Sequence, residues 1–191
     1  VSSYRSVSSG LEPGSESPNV IAGHLSNAVT LGIEGAVIGG GGNALVPNFF
    51  MSRLGAISGG VGNVISTNAG DTTIGGGWLN LIGPASEYAL IAGCNYATIG
   101  GGSHNTARAV AATVAGGSGN EVLAQDAAIG GGYLNYVASL RSTIAGGHLN
   151  RVEPGYAGGF IGGGTGNQVA GHNSSVAGGY ENSILDVADS Y

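Results

Sequence analysis

A β-branched residue followed by glycines recurs along the chain, with an asparagine and then an aliphatic residue at fixed distances after it. In Ile99-Gly-Gly-Gly-Ser-His-Asn105, the asparagine lies six residues after the isoleucine, and Ala107 follows two positions later. Eight copies keep the spacing of six, and their asparagines are Asn63, Asn80, Asn105, Asn120, Asn135, Asn150, Asn167 and Asn182. Fixed columns over so many copies predict a repeat architecture.

Three segments depart from a perfect repeat. Near the start, Ile21 to Asn27 also keeps the spacing of six but has His24 in place of the second glycine, whereas Ile38 to Asn43, followed by Leu45, forms a unit one residue shorter. The segment Ile91-Ala-Gly-Cys94 lies only eight residues before Ile99. It indicates either a shortened coil or an inserted turn.

The repeat length favours an all-β parallel solenoid of about ten coils, each of roughly 15–17 residues, because a helix pair or a propeller blade needs roughly 30 residues or more. From Ile99 the copies begin at a constant step, at Val114, Ile129 and Ile144, and only the next step, to Ile161, is two positions longer. One inward column is predicted at Ile21, Ile38, Ile57, Ile74, Ile99, Val114, Ile129, Ile144, Ile161 and Val176. A second is predicted at Val29, Ile65, Ile82, Val122, Val137, Val152, Val169 and Ile184.

The glycines and asparagines have clear physical roles in such a lattice. A glycine pair turns the chain where φ is positive, or lets another backbone approach closely. The repeated asparagine tolerates a left-handed conformation and can bond its own backbone in a turn. Stacked in register, it can also form an amide ladder along the rod. A turn residue is expected rather than a column that contacts a ligand.

The amino-acid composition argues against several classes of function. The 191 residues include 40 glycines, only 8 % are charged, lysine is absent and the net charge is −6. A nucleic-acid-binding face needs clustered cations, so none is expected. No apolar run of roughly 18 residues occurs, and we expect no membrane insertion by this segment.

The repeats resemble those of a known family. Runs such as Thr98-Ile-Gly-Gly-Gly and Ser175-Val-Ala-Gly-Gly are similar to the head repeats of trimeric autotransporter adhesins (YadA-like proteins), which also occur in phage tail fibres and tailspikes. The resemblance spans about Ile21 to Ile184. It implies a left-handed β-roll, a homotrimer, and attachment to a host surface from an extracellular, cell-surface or virion location.

Residues 1–20 are expected to form an irregular lead-in or a partial coil, and residues 21–191 a β-solenoid repeat domain that is truncated within a repeat. Two inward side chains per coil make a small core. Ordering each residue of the coil costs about 1–2 kcal/mol, so burial of two side chains gives a single chain little net stability. The mean hydropathy is nevertheless positive, at +0.21. Both observations favour packing of several chains side by side, in agreement with a homotrimer.

No catalytic, cofactor or metal site is expected. Asp71 and Asp126 share a column but are at least three coils, or about 14 Å, apart. Glu121 with Asp126, and the pair Asp186 and Asp189, are interpreted as solvated loop edges, although a site assembled between chains stays open. Calcium-type repeats need aspartate where other residues stand here. We expect the single Cys94 to be a small packing residue.

One column varies in an informative way. The residues four positions after the inward isoleucine include Trp78, Tyr133, His148 and Tyr180. They form either a contact surface for a cell-surface glycan or protein, or a filler of the groove between chains. The leading hypothesis is a non-enzymatic adhesive segment of a fibre. An inert spacer and a polysaccharide-degrading tailspike are the alternatives.

Overall fold

A computed structural model describes residues 5–7, 17–83 and 94–185, which form only β-strands and turns. The described strands are β1 (Arg5–Val7), β2 (Asn19–Ile21), β3 (Ala28–Val29), β4 (Ala36–Ile38), β5 (Phe49–Phe50), β6 (Gly55–Ile57), β7 (Val64–Ile65), β8 (Thr72–Ile74), β9 (Leu81–Ile82), β10 (Thr98–Ile99), β11 (Thr106–Ala107), β12 (Thr113–Val114), β13 (Glu121–Val122), β14 (Ala128–Ile129), β15 (Tyr136–Val137), β16 (Thr143–Ile144), β17 (Arg151–Val152), β18 (Phe160–Ile161), β19 (Gln168–Ala170), β20 (Ser175–Val176) and β21 (Ser183–Leu185). No helix in these ranges is long and apolar enough to cross a bilayer.

Successive coils contribute one strand each to two parallel sheets. The first sheet runs β2-β4-β6-β8-β10-β12-β14-β16-β18-β20, and the second runs from β3 through the odd-numbered strands to β21. The chain therefore winds about nine turns as a parallel β-solenoid, which confirms the predicted fold class. At one end β1 pairs with β2 in the antiparallel direction, which the repeat pattern did not predict.

The first inward column is confirmed at every predicted position. Each isoleucine or valine pairs with its counterpart in the next coil, as Ile99 does with Val114 and Ile129 with Ile144. Their side chains are buried, from Ile21 at the first coil to Val176 at the last. The second column is buried from Ile65 to Val169 and partly buried at both ends.

The coil that begins at Ile38 does not use Asn43 and Leu45, so that part of the prediction is wrong. Asn48 occupies the asparagine column and Phe50 the aliphatic column, where Phe50 pairs with Ile65. The Oδ1 atom of Asn43 instead accepts hydrogen bonds from two nearby backbone N–H groups in an exposed turn. Leu45 is 91 % exposed. Extra residues are looped out there, and the register resumes at Asn48.

The core contains more than two side chains per coil, which corrects the thin-core premise. Small residues two positions before the inward isoleucine also face inward and are buried: Ala36, Thr72, Ala97, Ala112, Ala127 and Ser142. The repeated asparagines are buried as well. A single chain therefore has a fuller core than the two aliphatic columns suggested.

The asparagines form a continuous internal ladder rather than left-handed turns. Asn120 donates from Nδ2 to the carbonyl oxygens of Gly116 and Gly132, at 3.0 Å each. Its Oδ1 atom accepts the backbone N–H of Asn135 at 3.0 Å. The left-handed residue is the one before each asparagine, such as Leu134 with φ 54°. The ladder and the side-chain hydrogen bond to the asparagine's own turn are both confirmed, and only the left-handed conformation of the asparagine is wrong.

One column of the repeat is occupied by glycine because the backbones of successive coils approach closely there. Gly102 has φ +90°, and a β-carbon added to it would overlap the carbonyl oxygen of Gly117 in the next coil. Both functions expected of the glycines, a positive φ and a close backbone approach, therefore occur at one position.

The irregular segment before Cys94 is an insertion within one coil. Ile74 pairs directly with Ile99, so no coil intervenes between them. Gly83 and Cys94 both belong to that coil, and Ile91 lies in the inserted stretch outside the described residues. Cys94 is fully buried, and burial raises its thiol pKa to about 11. The direct pairing excludes a separate shortened coil, and the structure places Cys94 in the core as predicted.

Candidate functional site

The variable column lies at the corner where each coil passes from the first sheet to the second. Its members form a ladder of parallel bridges, in the order Val61, Trp78, Ser103, Ser118, Tyr133, His148, Thr165 and Tyr180. All four predicted contact residues therefore share one line along the rod. Only Tyr133 and His148 are in adjacent coils, so the four residues do not form a single compact patch.

Aromatic and imidazole rings pack against each other along this line. The rings of Trp78 and His104 meet edge to face with centroids 5.0 Å apart, and those of Tyr133 and His148 lie 5.4 Å apart. Trp78, Tyr133 and Tyr180 are 51 %, 50 % and 69 % exposed. A hydrogen bond to Glu181 raises the pKa of the Tyr180 hydroxyl. The rings therefore support one another while keeping much of their surface accessible.

A second line of side chains accompanies the first. Leu79, Leu134 and Leu149 each follow a member of the column, are exposed, and have φ between 53° and 55°. The left-handed backbone at this corner directs these apolar side chains outward beside the rings. We call the combined surface the aromatic edge, defined as Trp78, Leu79, His104, Tyr133, Leu134, His148, Leu149 and Tyr180.

Asp71 and Asp126, which share a column, lie far apart in the described part of the chain. Three coil steps separate Asp71 from Asp126, or about 14 Å at roughly 4.8 Å per coil. Glu121 forms an ion pair with Arg108 at 3.7 Å, and Asp126 accepts a hydrogen bond from Gln125. The other predicted pair, at positions 186 and 189, lies outside the described residues.

The outer face of the second sheet carries a polar network that the repeat pattern did not reveal. Arg151 pairs with Glu153 and lies 4.1 Å over the ring of Tyr136. Glu153 also accepts a hydrogen bond from Gln168 at 2.7 Å. The hydrogen bond from Arg151 to Glu153 raises the pKa of the guanidinium. These charges neutralise one another, so this face presents no uncompensated cationic patch among its described residues.

Two cavities occupy the other corner, where each coil passes from the second sheet back to the first. The larger, of about 430 Å³, is lined by Ile33, Met51, Ser52, Arg53, Thr67, Asn68, Gly70 and Asn95. The smaller, of about 300 Å³, is lined by Ala138, Ser139, Leu140, Gly155, Ala157 and His172. Sequence analysis missed both cavities. The available signal was the extra length of nearby coils, since the steps from Ile57 to Ile74 and from Ile144 to Ile161 are each two positions longer than the regular step.

No group of three or more histidine, cysteine, aspartate or glutamate side chains capable of holding a metal ion occurs among the described residues. The chain matches no protein-family model, and comparison with curated proteins gave no significant match. Functional inference therefore rests on the aromatic edge and the corner cavities.

Proposed function

We propose that this chain is a non-enzymatic segment of a trimeric surface fibre that contacts a host-cell surface, as a bacterial adhesin head or a phage tail fibre does. The proposal places the segment outside the cell, on a cell surface or a virion. The observation that carries it is the aromatic edge, where rings and leucines remain exposed on a rigid lattice.

The side chains of the aromatic edge are not required by the lattice. At the position of Leu134, other coils have Gly62, Gly119 or Gly166, each with φ of 67° or 68°. A left-handed conformation costs a non-glycine residue roughly 1–2 kcal/mol, so glycine is the favoured residue there. Retaining leucine at this backbone position is consistent with a role for its exposed side chain.

The chemistry of the edge suits a cell-surface glycan or protein. Tyrosine and tryptophan rings offer an apolar face together with a polar atom, which is the combination enriched at binding surfaces. The rings of Tyr133 and His148 form such a pair, and Trp78 with His104 forms another. Repetition of modest contacts along a rod and around three chains raises avidity by a factor of about 10²–10⁴.

Exposed apolar side chains also support the proposed trimer. Leu31 is 88 % exposed and Leu140 is 50 % exposed. Exposure of large apolar side chains to water is unfavourable, and the mean hydropathy of the whole chain is positive. The outer face of the first sheet carries small residues next to its threonines, as at Gly100 and Ala115. Such a face permits close packing of a neighbouring chain. We expect light scattering to give three times the monomer mass, and a mass near 18.5 kDa at micromolar concentration would contradict the trimer.

A cell-binding and glycan-binding assay tests the contact function. Trp78→Ala and Tyr133→Ala should each weaken binding by the purified chain, because each removes an exposed ring. Ser118→Ala lies in the same column and is the matched control. Equal loss in all three variants would move the contact surface elsewhere, and no binding by the wild type would favour an inert spacer. Release of reducing sugar from the target glycan would overturn the non-enzymatic assignment.

A further inference from the structure

Arg53 differs in its environment from two other arginines of the described chain. Arg108 and Arg151 each pair with a glutamate on the outer face of the second sheet. Arg53 has no carboxylate within 4.0 Å among the described residues, although the backbone N–H of Asp71 donates to its carbonyl oxygen. Its guanidinium therefore has its full set of five donors available, in a chain with a net charge of −6.

This unpaired cation lies at the wall of the larger corner cavity. Thr67 and Asn68 line the same cavity, and their side chains make no hydrogen bond within the described residues. Asn95 uses Oδ1 to accept the backbone N–H of Gly70, which leaves its Nδ2 group available as a donor. The side chains of Ile33 and Met51 form the apolar part of the cavity wall. The cavity thus combines one cation, several neutral hydrogen-bonding groups and an apolar surface.

The coil that supplies Thr67 and Asn68 is longer than a regular coil at this corner. Nine positions separate Ile65 from Ile74, against seven from Val122 to Ile129. Ala69 and Thr72 are buried beneath this corner, as Ala112 is in a regular coil, so the cavity lies outside the packed layer. The two extra residues are not a requirement of the fold, and they favour a role in binding a ligand.

We propose that this cavity binds a saccharide residue that carries a carboxylate, such as a hexuronic acid. Arginine matches a carboxylate with two parallel hydrogen bonds. Thr67, Asn68 and Asn95 suit the hydroxyl groups of a sugar ring, and Ile33 and Met51 suit its C–H face. A volume of about 430 Å³ is at the small end of ligand pockets and fits one or two sugar rings. With a single cation in the cavity, a monoanion is favoured over a phosphate dianion.

Titration of the purified chain with methyl β-D-glucuronide, followed by NMR or calorimetry, tests this site. We expect saturable binding near roughly 1 mM, with methyl β-D-glucoside binding about tenfold more weakly because it lacks the carboxylate. Arg53→Gln should weaken glucuronide binding by about tenfold, and Arg53→Lys by less. Arg141→Gln is the matched control, since Arg141 is also exposed and without an ion pair among the described residues but does not line this cavity.

Three results would overturn the site: no saturable glucuronide binding, equal affinity for glucoside and glucuronide, or an unchanged affinity in Arg53→Gln. Sodium acetate is the third probe, and acetate binding as tight as glucuronide would also overturn the proposal, because it would show a simple anion site. Circular dichroism confirms that each variant is folded. Trp78→Ala should leave glucuronide binding intact, so failure of this site and failure of the aromatic edge are distinguishable.

Discussion

Replacing Asn120 tests whether the asparagine ladder holds the coils together. Its side chain is fully buried, donates to Gly116 and Gly132, and accepts from the backbone N–H of Asn135. In Asn120→Ala that buried N–H loses its acceptor, and a buried group left unsatisfied costs about 1–3 kcal/mol. With the carbonyl of Gly116 also losing a partner, we expect unfolding to become easier by about 3 kcal/mol.

The assay is urea denaturation followed by circular dichroism, in which the shift of the midpoint reports the change in stability. Asn120→Asp keeps the shape and the acceptor but places a carboxylate oxygen against two carbonyls, so it should be no more stable than Asn120→Ala near neutral pH. Ser118→Ala lies two residues earlier on the surface and should change stability by less than about 0.5 kcal/mol. If Asn120→Ala unfolded at the same midpoint as Ser118→Ala, the ladder would not be a stabilising element.

Two further predictions use other features of the lattice. Gly102→Ala should destabilise the chain by about 2 kcal/mol in thermal unfolding, because it combines a positive φ with backbone overlap; Gly116→Ala, which meets open space, is its control and should melt like the wild type. Cys94 should react slowly with a disulfide reagent at pH 8, since its thiol pKa is raised to about 11 by burial, and rapidly in denaturant; equal rates in both conditions would show that the thiol is not buried.

The regular coils were predictable because their lattice needs the same residue type at the same place. A parallel strand pair stacks like on like, so the columns of Ile99 and Val122 were visible as fixed spacings. The prediction for the coil at Ile38 was wrong because it assigned the nearest asparagine, Asn43, to the asparagine column. Looped-out residues shift the true position to Asn48. Spacing alone does not distinguish a short coil from a long one with an insertion.

The functional surfaces were predictable only in part. The aromatic edge could be found because a column of exposed residues is recognised by its variation, as at Tyr133 and His148. The burial of the asparagines was not the expected outcome, because a turn residue and an internal ladder have the same sequence pattern. The cavity at Arg53 is lined by residues from four different coils, and no single repeat contains that information.

Oxidative footprinting of the exposed aromatic residues, with and without target cells, tests the proposed contact most directly. The account predicts that cells reduce labelling of Trp78 and Tyr133, while Tyr96, which is 65 % exposed outside the aromatic edge, is labelled equally in both conditions. Protection of Trp78 and Tyr133 in the absence of cells would instead place them in a groove between chains. Unchanged labelling of both residues on cells that bind the chain would contradict the aromatic edge as the contact surface.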